Sequence, residues 1–276
     1  MKQRRAAVPE PQETPREESL VRWDAADGIA TITLDSPRNR NALSVRLRAD
    51  LAGALDSALG DDSIRVIVLT HTGTVFSAGA DLKEARQGLN TAGVPLTDIL
   101  ETVWHAPKPV IARLAGPARA GALGLVSCCD VAIADANVTF AFSEVRIGVV
   151  PAVISVTVLP SMFPRSAHEL FLTGEVFDAQ RAVETGLINA AVPSDELDAT
   201  VAQYAEAFIL AAPGALAATK ALLREAGPED LRGELAAKQK LSEKFFSSAE
   251  AREGISAFTE KRRPAWAVVP SSDRVN

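Results

Sequence analysis

Three stretches of this chain combine residue types that could do chemistry on an acyl group. FSAGADLK at 76 to 83 follows a strand-like run and precedes a helix-like one, with small residues where a backbone can approach a ligand closely. A tight structural turn would use the same residues. GPARAGALG at 116 to 124 runs into an apolar helical pattern, so it presents unpaired amide N–H groups at the positive end of a helix. That end suits a developing oxyanion, and close helix packing through Gly and Ala is the structural alternative. In TFAFSEVRIGVVPA at 139 to 152 an acid, Glu144, sits amid apolar residues. Burial would raise its pKa and make it a better proton carrier near neutrality, whereas a paired or surface carboxylate would do no chemistry. Two amides aimed at one thioester oxygen would stabilise an enolate, which chemistry at the α and β carbons of an acyl thioester requires.

The elements that must position these segments read as alternating strands and helices. LVRWDAADGIATITL at 20 to 34 predicts a hairpin turning at Ala26 to Gly28. Leu47, Leu51, Leu55 and Leu59 recur at helical spacing behind Ser44, a candidate N-cap, and RVIVLT at 65 to 70 reads as a buried strand. A helix at 96 to 104, strands at 109 to 114 and 130 to 135, and a helix from Gly121 continue the theme, which implies an α/β core. The core is expected over 19–192. Helices at 195–211, 213–226, 229–247 and 249–261 follow, separated by Pro213 and Gly227-Pro228, giving a helical region over 193–276. Residues 1–18, rich in Pro, Arg and Glu, read as a disordered tail.

Composition narrows the function classes. The 276 residues are 47% hydrophobic, enough for a sizeable core, and a net charge of −6 gives no reason to expect a nucleic-acid partner. A few local Lys and Arg can still meet a polyanionic ligand. Cys128 and Cys129 are adjacent and cannot form an ordinary structural bridge, so a reducing, cytoplasmic setting is expected. No stretch approaches the roughly 20 apolar residues of a membrane span, and no membrane partner is expected. His71 and His168 lack metal-ligand spacing, and no metal is expected. Trp104 and Trp266 read as packing residues.

In order and spacing, FSAGADLKE at 76 to 84, GPARAGALGLVSCCD at 116 to 130 and FSEVRIGVVPA at 142 to 152 resemble the crotonase superfamily, the enoyl-CoA hydratase/isomerase family. ITLDSPRNRNALS at 32 to 44 and EGISAFTEKRRPAW at 253 to 266 extend the resemblance over nearly everything after the tail. It implies a spiral of β-β-α units with C-terminal helices used for trimerisation, a homotrimer or homohexamer, and a coenzyme A thioester as substrate, with no separate cofactor. It also implies that the amides of Ala78 and Gly121 bind the thioester carbonyl and that Glu144 takes the place of the second catalytic glutamate. Ala80, Asp81 and Leu82 would line the adenine and pantetheine groove. Arg38 resembles a phosphate-contacting position, while Phe258 and Lys261 match positions that meet CoA, commonly from a neighbouring subunit.

One position departs from the two-glutamate hydratases of that family: where they carry the first catalytic Glu, this chain has Gly124. Hydration needs a base to activate water and an acid to protonate the α carbon, whereas a 3,4 to 2,3 double-bond shift needs only one proton shuttle. The EVRIG and PAVIS segments resemble bacterial hydratases, including methylglutaconyl-CoA hydratase-like sequences, and relatives acting on aromatic acyl-CoA substrates keep only the second glutamate. The reading is therefore a hydratase, with an isomerase and a CoA-ester binding protein without turnover as alternatives. Glu101 and His105 are candidates for a substitute acid but suit a helix surface. Arg119 could pair with a substrate carboxylate, a salt bridge to a protein acid being the alternative.

Overall fold

The computed structural model describes residues 18–88 and 92–267; residues 1–17 of the expected tail lie outside them. Strands β1 (Val21–Ala26) and β2 (Ile29–Leu34) pair antiparallel around Asp27 and Gly28. Both turn residues take positive φ, 52° and 81°, as a two-residue hairpin with the native twist requires. Strands β3 (Val66–His71), β4 (Val110–Leu114), β6 (Val131–Asp135) and β9 (Ala190–Val192) extend the sheet in parallel, in the order β1-β2-β3-β4-β6-β9. A second sheet, in the order β5-β7-β8, is made of β5 (Ala118–Arg119), β7 (Thr139–Ala141) and β8 (Phe177–Asp178).

The central strands are apolar over most of their length because both faces are covered. Val66 and Val68 alternate with Ile67 and Leu69, and the period of two sends each pair to opposite sides. Val66, Val68, Ile111 and Ile133 pack under α8 (Leu197–Leu210) through Leu197, Val201 and Ala205. Ile67, Leu69, Ala112 and Ala134 join the larger cluster with α1 (Val45–Gly60), α3 (Leu96–His105) and α4 (Gly121–Cys128). As expected, Ser44 caps α1, its hydroxyl accepting from the Leu47 amide at 3.3 Å. The remaining helices are α2 (Leu82–Arg86), α5 (Ala152–Val158), α6 (Pro164–Thr173), α7 (Ala179–Glu184), α9 (Pro213–Arg224), α10 (Leu231–Phe246) and α11 (Ala249–Thr259). The four C-terminal helices fall where their Ala, Leu and Lys patterns place them. Leu231 and Leu235 of α10 enter the larger cluster, so this region shares the core of the α/β body.

The end of α4 is held by a buried charge cluster. Asp130 accepts from the Val110 amide at 2.8 Å and Lys220 Nζ at 2.7 Å, and its other oxygen accepts from Arg224 Nη2 at 3.1 Å. Arg224 also donates to the Cys128 carbonyl at 2.7 Å and lies 4.0 Å over the Trp104 ring. A cation thus meets the negative end of α4 and anchors its opposite end, the one carrying Gly121, relative to the sheet. Burial pulls the Lys220 pKa down, opposed by Asp130. Replacing Asp130→Ala should cost about 3–5 kcal/mol, because it strands a buried cation without its partner. Urea unfolding measures this, and a loss near zero would mean that the cluster holds nothing.

Candidate active site

Two backbone segments meet without a side chain between them. The 76 to 79 stretch runs alongside β5, joined by a parallel bridge between Ser77 and Ala118 and by the Arg119 amide donating to the Ser77 carbonyl at 3.1 Å. Gly79 has φ +82°, and a Cβ there would lie 2.8 Å from the Arg119 carbonyl and 3.3 Å from the Gly121 nitrogen. Only glycine fits, on both counts. Directly before Gly121, Ala120 is held at φ 50°, ψ −125°, a strained backbone for a residue with a Cβ, and α4 begins at the next residue. The Gly121 amide heads that helix, and among the described residues it donates to no acceptor.

The partner amide is not the expected one. The Ala78 N–H donates to the Arg40 carbonyl at 3.0 Å, so it is already spent inside the fold. The chain reverses at Gly79, and the Ala80 amide beyond it has no acceptor among the described residues. Ala80 and Gly121 line one cavity of about 1250 Å³, which also holds Glu144. The cavity-lining amides left without an acceptor among the described residues are thus those of Ala80 and Gly121, with Ala78 a wall residue. The positive φ of Gly79 is the signal that sequence reasoning lacked, since it decides which neighbouring amide turns outward.

Glu144 sits on a 3₁₀ turn (Ser143–Ile147), and its Oε2 is buried with no hydrogen-bond partner. Desolvation by burial pushes its pKa up to about 7, against a smaller opposing effect of its own backbone. Such a carboxyl gives and takes protons at neutral pH. Helix α11 packs over this turn through two glycines, for a Cβ on Gly148 would lie 2.6 Å from the Glu250 backbone and one on Gly254 2.4 Å from that of Ile147. That contact brings Phe258 and Lys261 into the cavity wall.

Asp81 and Leu82 line the cavity. Asp81 caps α2, accepting from Lys83 N at 2.9 Å, and holds Asn39 Nδ2 at 2.7 Å. Arg38 does not reach the cavity: it is exposed on the 37–39 turn, and Asn39 and Arg40 line the wall in its place. Arg40 takes φ 51°, which redirects the chain after the turn. Lys83, Arg86 and Arg146 are further lining cations that the sequence reading left out. With Arg40, Arg119 and Lys261 they make six cations around two carboxylates, Asp81 and Glu144, in a protein of net charge −6. This local excess suits a polyanionic ligand.

Arg119 has no acidic partner among the described residues. Its guanidinium donates to the Ala118 carbonyl at 3.0 Å, to the Thr139 carbonyl and to Thr139 Oγ1 at 2.7 Å, and burial pulls its pKa down. Glu101 pairs with Arg232 at 2.8 Å outside the cavity, and His105 is exposed. His71 packs edge-on against Phe76 in the core, with Nδ1 3.2 Å from the Thr72 carbonyl. Gly124 is buried against α5, where a Cβ would lie 2.7 Å from Ile154 Cγ2. The position of the absent glutamate is filled by an isoleucine from the facing helix.

The folded carboxyl of Glu144 titrates above its ordinary 4.5, at about 7. The unfolded chain then ionises first as pH rises, and the native state loses stability between those values, by roughly 3 kcal/mol at most. Glu144→Gln removes the penalty. Its stability relative to the parent should improve by about 2 kcal/mol between pH 5 and pH 8, read by urea unfolding; an unchanged difference would place Glu144 in contact with water or a cation.

Two free amides, a buried carboxyl and a cationic rim thus line one cavity. Residues 24–268 match the model of the enoyl-CoA hydratase/isomerase family. The chain is 33% identical to the 2,3-dehydroadipyl-CoA hydratase of Escherichia coli, over 86% of this chain and 94% of that one. Its fold is similar to that of an enoyl-CoA hydratase from Mycobacterium avium (TM-score 0.81, 40% identity, 91% and 100% of the two chains). It is also similar to a methylmalonyl-CoA decarboxylase solved with 2-nitronate-propionyl-CoA (TM-score 0.77, 30% identity, 91% and 99%). The chain belongs to the enoyl-CoA hydratase/isomerase family and has the crotonase fold.

Proposed function

We propose that the protein hydrates an α,β-unsaturated acyl-CoA thioester, with Glu144 as its single acid–base group. The observation that carries this reading is the unpartnered Glu144 Oε2 in the same cavity wall as the free amides of Ala80 and Gly121. The thioester oxygen accepts from both amides, which stabilise it as negative charge develops. Glu144 takes a proton from water as the water oxygen bonds to the β carbon and the double-bond electrons move to the thioester oxygen. The enolate then collapses, and the α carbon takes the proton back from Glu144. A pKa of about 7 suits both halves, because neither protonation state is costly at neutral pH. Arg40, Lys83, Arg86 and Lys261 suit the phosphates of CoA, and the chemistry needs no separate cofactor. The exposed Leu210, Leu222 and Leu223 on α8 and α9 suit burial between copies in a homotrimer or homohexamer.

Ile154 favours a second reading. By filling the space beside Gly124 it leaves no second carboxylate to hold the attacking water, and Glu144 alone can move a proton from the α to the γ carbon of a 3-enoyl-CoA. Mass measurement after incubation with 2-enoyl-CoA and 3-enoyl-CoA panels separates the two: gain of one water supports the hydratase, and rearrangement at constant mass the isomerase. Binding without turnover across both panels would leave a CoA-ester binding protein. Glu144→Gln should lower either activity by about a hundredfold or more while leaving CoA affinity within a few fold; an unchanged rate would remove Glu144 from the chemistry.

Restoring the second acid needs room. Gly124→Glu alone should be destabilised by about 1–3 kcal/mol through overpacking against Ile154. The double variant Gly124→Glu, Ile154→Ala should regain stability and raise hydration relative to isomerisation. A double variant no more stable than the single one would contradict the packing account.

A further inference from the structure

Of the six cations in the cavity wall, Arg40, Lys83, Arg86 and Lys261 suit the CoA phosphates, which leaves Arg119 and Arg146 without a task. Arg119 serves the other edge of β5. The 76 to 79 stretch bridges to β5 at Ala118, and Arg40, Lys83 and Arg86 belong to segments on that edge. The Arg119 side chain instead follows β7, where the carbonyl and the hydroxyl of Thr139 both accept from it. Arg146, exposed on the 3₁₀ turn after β7, adds a second cation to this side. Among the described residues no carboxylate pairs with Arg119. Asp178, the register partner of Thr139 on β8, accepts from the Arg181 amide at 2.7 Å as the cap of α7. Glu144 does not balance it either, because the upward shift of its pKa carries no cationic contribution. A guanidinium kept half-buried without a counter-charge costs desolvation energy that a ligand can offset.

The way the guanidinium is held leaves one edge of it open. Nη1 donates to the carbonyls of Ala118, at 3.0 Å, and Thr139, and Nη2 donates to Thr139 Oγ1 at 2.7 Å. Both Nη1 hydrogens are thus spent, and Thr139 occupies the end of the fork. The Nε–H and the second Nη2–H remain, and in a planar guanidinium these are parallel neighbours on one edge. Two parallel donors on one cation match the two oxygens of a carboxylate. We propose that Arg119 binds a carboxylate carried by the acyl group, so that the substrate is the CoA thioester of a dicarboxylic acid. The proposal rests on the acyl-CoA reading above. Arg119 stands two residues before Gly121, at most about 7 Å of chain from the amide that meets the thioester oxygen in that reading. Its fork therefore reaches the acyl part of the same ligand. Thr139 holds the fork before the ligand arrives, which lowers the ordering cost of binding.

Calorimetry of the full-length protein with saturated esters tests this without turnover, comparing glutaryl- and adipoyl-CoA with pentanoyl- and hexanoyl-CoA of the same carbon number. The parent should bind the carboxylated esters about tenfold or more tighter, the scale of hydrogen bonds to a charged partner. Arg119→Met should bring that ratio to within about twofold of one, and Arg119→Lys, which keeps the charge and loses the fork, should retain only part of it. A parent that binds both classes equally would overturn the proposal, whether or not the variants fold. An Arg119→Met variant that loses affinity for all four esters alike would put Arg119 on the CoA phosphates and overturn it too. A variant with a lowered unfolding temperature and an unchanged ratio would leave Arg119 only its structural bonds to β7, again against the proposal. Failure of every CoA ester to bind the parent would overturn the acyl-CoA reading as well, which keeps the two failures distinct.

Discussion

A backbone approaching another backbone at Gly79, with 3.3 Å between the missing Cβ and the Gly121 nitrogen, is the contact around which the site is arranged. It brings an amide from a loop and an amide from a helix start into one wall, and nothing but hydrogen fits in the gap. Everything that sets the distance is therefore structural. The Ser77 to Ala118 bridge fixes one segment. The strained Ala120 and the Asp130, Lys220 and Arg224 cluster at the far end of α4 fix the other. Their stabilising interactions offset the local strain, a common arrangement where geometry has to be held for chemistry.

The same wall carries a charge imbalance that the overall composition conceals. Glu144 is desolvated without a counter-charge, and elsewhere around the same cavity six cations line the wall in an otherwise acidic protein. Protonation compensates the first and a polyanionic ligand would compensate the second, because a charge left in low dielectric must be neutralised or paired. Gly124 and Ile154 are two halves of one packing decision. A glycine on α4 lets α5 approach, Ser127 and Thr157 hydrogen-bond across the seam at 2.9 Å, and the volume of a carboxylate side chain becomes core. The glycine that departs from the family pattern in the sequence sits in a close helix contact in the structure.

Much of this was legible from residue patterns. The hairpin, the buried strands, α1 with its Ser44 cap and the four C-terminal helices all follow from periodicity, turn residues and breakers, which act locally. The strands β5, β7 and β8 escaped because two or three residues cannot display an alternation. Arg38 matched a phosphate-contacting pattern, but the turn with positive φ at Arg40 leaves Arg38 off the cavity and puts Arg40 on its wall.

The sequence by itself determined the family, the identity of the catalytic acid candidate and the glycine that heads α4, because these depend on residue types in a fixed order. Only the tertiary structure decided that Ala78 spends its N–H on the Arg40 carbonyl, which leaves the Ala80 amide as the second candidate. It alone decided that Ile154 occupies the space beside Gly124 and that Phe258 and Lys261 line the cavity. Each of these rests on a hydrogen bond or a close contact between segments far apart in the chain, and local pattern carries no information about which of two neighbouring groups such a partner will consume.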